Sequence, residues 1–219
     1  MTGSMYSGAL ALGTGIFLVC AIVIIWRHGL NAIVKALALQ GIALSGVVLI
    51  LGVHQHSAAL IGVAFLVLIG KGLILPFLLN RVVRGDPKSR ELSPVINVPA
   101  SLVGAGALVV LAYAVSGSVT QVLPVVTGHL VPIGFATLLI GFFSMTVRKK
   151  MVSQIVGLLL VDNGIALIAF LATLGVPLLV EFGATFDVLM VVVVLRVLAV
   201  QMRSRFGQFD LGQLRELHD

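Results

Sequence analysis

The sequence predicts an all-α, polytopic membrane protein of about seven transmembrane helices, and composition, run length and loop charge each point that way. Hydrophobic residues make up 59% of the 219 residues and charged residues 10%, where a soluble domain carries about a quarter charged residues. A mean hydropathy of +1.19 leaves too little polar surface to clothe a water-soluble particle. The apolar residues fall in runs of roughly 20, the length a helix needs to cross a ~30 Å hydrocarbon layer. The period-two alternation of a membrane barrel is absent, so helices must satisfy the backbone.

Taken in order, the runs predict spans at 8–26, 33–53, 58–79, 97–116, 127–147, 154–174 and 182–200. The first follows no basic n-region and is full length, so it reads as a retained span rather than a signal peptide. The connections are of two kinds. Arg27 and His28, then Arg81, Arg84, Lys88 and Arg90, then Arg148, Lys149 and Lys150, then Arg203 and Arg205 mark basic connections. Segments 1–7, 54–57, 117–126 and 175–181 contain no Lys or Arg. The two kinds alternate, which places the N-terminus outside and the C-terminus inside and requires an odd number of spans.

The connection 80–96 carries Asp86-Pro87 and Ser93-Pro94, both turn signals. It separates a first three-helix block, 1–79, from a linking helix, 97–116, and a second three-helix block, 127–202. The two blocks read as a repeat. Gln40-Gly41-Ile42-Ala43-Leu44 in the second span is matched by Asn163-Gly164-Ile165-Ala166-Leu167 in the sixth. Each follows a basic connection by a similar distance, with Ile33-Val34 and Ile155-Val156 upstream. The blocks would run in the same direction, giving a 3+1+3 arrangement of a kind used in transport folds. The cytoplasmic tail 203–219 is either solvated or a short amphipathic helix presenting Phe206, Phe209, Leu211, Leu214 and Leu217.

Charges inside spans are costly, so each is a functional candidate. Lys71, in Leu68-Ile69-Gly70-Lys71-Gly72, lies ten residues from Arg81, ~15 Å along a helix and near the midplane. Its flanking glycines predict close approach of another helix. Asp162 lies twelve residues from Lys150, ~18 Å along its span. Asp187, with Glu181 at its mouth, is nearer the outer surface and is either an access group or an interface residue. Lys71, Asp162 and Asp187 are the candidates for ion or proton relay. Each has a structural counter-reading as a helix-pinning charge. Gln40 and Asn163 are supporting polar groups whose expected role is helix–helix hydrogen bonding. Arg196 and Lys35 read as snorkelling cations, and His54, His56 and His129 as surface residues at outer span ends. Cys20 reads as a small buried hydrophobe. No P-loop, dinucleotide fingerprint, HExxH or nucleophile elbow is present. The expectation is a non-catalytic subunit with no cofactor, no metal site and no nucleic-acid partner.

Several segments resemble hydrogenase-4 component E. They are Ile69-Gly70-Lys71-Gly72-Leu73-Ile74-Leu75-Pro76-Phe77, the segment 157–164 ending in Asp162-Asn163-Gly164, Glu181-Phe182-Gly183-Ala184-Thr185-Phe186-Asp187, Met1-Thr2-Gly3-Ser4-Met5 and Phe209-Asp210-Leu211. The resemblance implies a multi-pass inner-membrane subunit of a group 4 [NiFe]-hydrogenase or formate-hydrogenlyase-type complex. Antiporter-like and hydrogenase-type subunits would be its partners. The second half is similar to the K subunit of respiratory complex I and the C subunit of multisubunit cation/proton antiporters. Those relatives carry a Gly-Leu-Glu relay motif. Here the stretch is Gly157-Leu158-Leu159, and the acid stands three residues later at Asp162, on the same helix face. The alternatives are a scaffold subunit or an antiporter component without hydrogenase partners.

Overall fold

The computed structural model describes residues 3–27, 29–84, 97–148 and 151–174. The predicted seventh span, Asp187, Glu181, Arg196 and the tail lie outside these residues. Helix α1 spans Gly3–Trp26 and α2 spans Leu30–His54. A third rod is built from α3 (Ala58–Val67), a π-helical segment π1 (Leu68–Ile74) and α4 (Leu75–Arg84). Then follow α5 (Val98–Thr120), a single turn α6 (Val125–Gly128), α7 (Val131–Val147) and α8 (Met151–Thr173). Among the described residues six helical stretches are long and apolar enough to cross a membrane, and the chain is an all-α, multi-pass membrane protein.

The ends of these helices follow from local chemistry. Ser57 caps α3, its hydroxyl accepting from the Leu60 N–H. Pro99 and Pro132 sit in the first turns of α5 and α7, where a missing N–H costs nothing. The sequence predicts one unbroken fifth span from residue 127, but the chain turns at His129 and Leu130 between α6 and α7. The fourth span runs four residues past its predicted end, to Thr120.

The π segment has a visible cause downstream. Pro76 cannot donate to an upstream carbonyl, and its ring crowds the carbonyl four residues back. Widening the helix relieves that crowding, and the Leu75 N–H accordingly reaches the carbonyl of Gly70, five residues back.

α2 and α8 are the most enclosed helices of their respective parts, and their apolar side chains fill two clusters. Ile24, Leu30, Ile33, Leu79, Ile140, Val156 and Leu160 belong to one. Leu10, Phe17, Leu44, Leu51, Leu60, Val131 and Leu171 belong to the other. Arg148, immediately after α7, hydrogen-bonds carbonyls at the end of α1, so α1 and α7 end together. α2 and α8 therefore begin together and run in parallel. At the opposite end Gln55 Nε2 donates to the Leu174 carbonyl. This shared direction is what a parallel repeat requires.

Candidate functional site

The two charges the sequence places near the midplane meet. Lys71 Nζ lies 2.7 Å from Asp162 Oδ2, and the two side chains are 5% and 2% exposed. This is the ion pair seen among the described residues. Lys71 sits inside π1 and Asp162 in the middle of α8, 91 residues apart in sequence. Asp162 Oδ2 is committed to the ammonium. Asp162 Oδ1 is buried without a hydrogen-bond partner among the described residues, so one carboxylate oxygen keeps its acceptor capacity.

The two supporting amides also meet, Asn163 one residue beyond Asp162 on α8 and Gln40 on α2. Asn163 Nδ2 donates to Gln40 Oε1 at 2.9 Å, and Gln40 Nε2 donates to the Phe17 carbonyl of α1 at 3.3 Å. Gln40 is fully buried and Asn163 nearly so. These are the residues preceding the two Gly-Ile-Ala-Leu runs, so equivalent positions of the proposed repeats touch each other.

A backbone contact completes the arrangement. A Cβ on Gly41 would stand 2.7 Å from both the carbonyl carbon and oxygen of Lys71, so α2 and π1 approach as closely as their backbones allow. Contacts thus link α2 to α8 through the amides, α8 to π1 through the ion pair, and π1 to α2 through Gly41. The close approach expected from the glycines flanking Lys71 is made chiefly by Gly41. Gly72 faces Ile42, while a Cβ on Gly70 would meet open space. One turn along α2, the Ser45 hydroxyl donates to the Ala64 carbonyl at 2.8 Å, just before π1. Neither Ser45 nor the π segment was anticipated. The signal for the latter was the pairing of Gly70 and Gly72 with Pro76 within two turns.

The remaining candidates fall elsewhere. Lys35 is exposed. His54 is exposed and stacks on Tyr6, with ring centroids 3.8 Å apart, and His129 Nδ1 pairs with the Val125 carbonyl. Cys20 is buried. Among the described residues no group of His, Cys, Asp and Glu is placed to hold a metal ion. Arg148, read from sequence as part of a basic connection, is instead buried at 5% exposure. Its Nη2 donates to the carbonyls of Ile24, Ile25 and Arg27 at 2.8, 3.1 and 3.3 Å.

Chemically, the cluster holds a separable charge pair in a nearly water-free place, with one free carboxylate oxygen and two neutral amides beside it. Such a pair can be a fixed pin or a transient proton holder, and geometry permits both.

Comparison with known proteins gives a family and a distant likeness. The uncharacterized protein Rv0085 of Mycobacterium tuberculosis is 42% identical over 220 residues, covering 100% of both chains. Hydrogenase-4 component E of Escherichia coli K12 is 27% identical over 151 residues, covering 68% of this chain and 69% of its own. The protein of the same name from Shigella flexneri matches to the same extent. No family model and no solved structure matches.

Proposed function

The chain belongs to the family of the mycobacterial protein Rv0085, and we propose that it is a non-catalytic membrane subunit of a complex resembling hydrogenase-4. In that complex it contributes to proton or cation translocation across the inner membrane and to assembly of the membrane arm. The likeness to hydrogenase-4 component E, at 27% identity, supports the setting. The observation that carries the ion-coupling role is the Lys71–Asp162 pair, 2.7 Å long and buried mid-bundle. A soluble-phase role gives no reason to hold two charges there, since each is costly in hydrocarbon.

The proposed cycle uses this chain's own atoms. A proton arriving at Asp162 Oδ1 neutralises the carboxylate and removes the charge that holds the Lys71 ammonium. The Lys71 ammonium then separates from the carboxyl or passes on its own proton; transfer of the Asp162 proton to the neutral amine, or its loss where the ammonium has kept its proton, restores the pair. Asp187 is proposed as an access group toward the outer side, with the N-terminus outside and the C-terminus inside. Gln40 and Asn163 hold α2 and α8 in register around the pair.

The test is Asp162→Asn in the intact complex, reading ion-coupled activity per assembled complex. The expected result is assembly retained and coupling lost by about a hundredfold or more, the lower end of what one positioned proton-transfer group contributes. Normal coupling in an assembled Asp162→Asn complex overturns the relay role and leaves a scaffold whose charges only pin helices. Sodium-dependent transport by the chain without hydrogenase partners would instead assign it to an antiporter assembly.

A further inference from the structure

Arg148 poses a question separate from the mid-bundle pair. The last carbonyls of a helix have no partners within it, and Arg148 Nη2 serves Ile24, Ile25 and Arg27 at the end of α1. Arg148 Nη1, in contrast, is buried without an acceptor among the described residues. Burial pushes the guanidinium below the ordinary arginine range by stripping water from it. It remains charged all the same.

The surroundings are cationic. Arg27 follows α1 directly, and its guanidinium carbon lies 5.0 Å from the ring centroid of Trp26. Trp26 is 50% exposed and Arg27 is exposed beside it. Lys35 is exposed on the first turns of α2, which begins at this end. Asp162 is the one acidic residue among the described residues, and it is held mid-bundle by Lys71. No described carboxylate therefore faces Arg27, Lys35 or Arg148.

We propose that this end of the bundle binds the phosphate of an anionic phospholipid, seated at the seam between α1 and the end of α7. The phosphate charge offsets the buried guanidinium from the exposed rim of the seam, and an outward turn of the Arg148 side chain would bring Nη1 to a phosphate oxygen. The Arg fork suits phosphate geometry. Arg27 meets the same headgroup from the exposed side, and the Trp26 ring lies at headgroup level, where indoles collect in membrane proteins. Basic clefts between spans at the cytoplasmic face are recognised places for acidic headgroups. The acyl chains lie along the exposed apolar side chains Val19 and Ile16 of α1, a contact that free phosphate lacks. The site is independent of the proposed ion relay.

The experiment uses the full chain in phosphatidylcholine nanodiscs with or without phosphatidylglycerol, reading bound lipid by native mass spectrometry and thermal stability in parallel. The wild type is expected to retain phosphatidylglycerol over phosphatidylcholine and to melt at higher temperature in its presence. Arg27→Gln, at an exposed position, is expected to reduce that enrichment about fivefold, the factor set by one basic residue near a membrane surface. Arg148→Gln should reduce it further, and raised salt should weaken it in the wild type. Equal retention of the two lipids by the wild type overturns the proposal, as does enrichment unchanged by Arg27→Gln. Inorganic phosphate that reproduces the stabilisation in phosphatidylcholine alone would assign the site to a free anion and overturn the lipid. Should Arg148→Gln fail to fold, the Arg27→Gln and salt measurements still decide.

Discussion

Toward α7, helix α8 presents Gly157 and Gly164; toward α2 and π1 it presents Asp162 and Asn163. The first interface is antiparallel and built on backbone proximity. A Cβ on Gly141 would stand 2.9 Å from the Gly157 carbonyl oxygen, and one on Gly164 the same distance from that of Gly134. Small residues let helices approach where lipid offers no hydrophobic drive for association, and dispersion contacts then supply the attraction. The second interface places an ion pair and an amide pair in the same apolar surroundings. One face of α8 needs only shape. The other carries groups that shape alone does not require, and this difference makes the second face the candidate for function.

The largest effect expected is on the charged face. Lys71→Met leaves Asp162 buried without its cation, and Asp162→Leu leaves Lys71 without its carboxylate. Each single change should cost about 3–5 kcal/mol, the usual penalty for orphaning one partner of a buried pair. Chemical unfolding of the reconstituted chain reads this. The double variant Lys71→Met/Asp162→Leu should return to the parent stability or exceed it by about 1–4 kcal/mol. If the pair exists only to hold helices, the double variant should also recover coupled activity in the assembled complex. Recovered stability with coupling still absent would separate the relay role from the packing role.

The glycine face should respond to size and ignore charge. In Gly164→Ala the new methyl meets the Leu138 backbone nitrogen at 2.7 Å, and in Gly141→Ala it meets that of Val161 at 2.7 Å. Backbone atoms cannot turn aside as a flexible side chain can, so each change should cost about 1–3 kcal/mol through forced separation of α7 and α8. Gly46→Ala is the control, because a Cβ there meets nothing within 4 Å. Equal losses at Gly46 and Gly164 would mean that helix separation is not what the substitution measures.

Much of this architecture is legible in the sequence, for reasons that also mark where legibility stops. Apolar run length alone sets the spans, so α1, α2, α5 and α8 lie within a few residues of expectation. Lys71 and Asp162 are individually conspicuous as charges in apolar runs. Their pairing is not, because a contact 91 residues apart in sequence depends on which faces of π1 and α8 meet. The π segment shifts that register by less than a full turn, and hydropathy is blind to such a shift. Arg148 was obscured for a different reason. A basic residue just beyond a span reads as a topological marker, and only the end of α1 lying beside it turns it into a buried cap. The break at His129 and Leu130 was marked by Pro124 and Pro132, both of which an apolar window averages away.

The smallest effect expected concerns the amides, where the two faces of α8 come closest to each other in kind. Asn163 and Gln40 are neutral, so orphaning one leaves an unsatisfied dipole rather than a charge. Asn163→Leu leaves Gln40 Oε1 without its donor. Gln40→Leu removes the acceptor of Asn163 and the donor to the Phe17 carbonyl together. Each should cost about 1 kcal/mol, with a coupling of roughly 0.6 kcal/mol in the double-variant cycle, the average for hydrogen bonds between membrane helices. That coupling is read by unfolding the two single variants, the double variant and the parent under one condition. Gln40→Leu should exceed Asn163→Leu, because only Gln40 also ties α2 to α1. A coupling indistinguishable from zero would make the amides space-fillers, and α2 and α8 would then be held together by packing alone, with the charge pair joining α8 to π1.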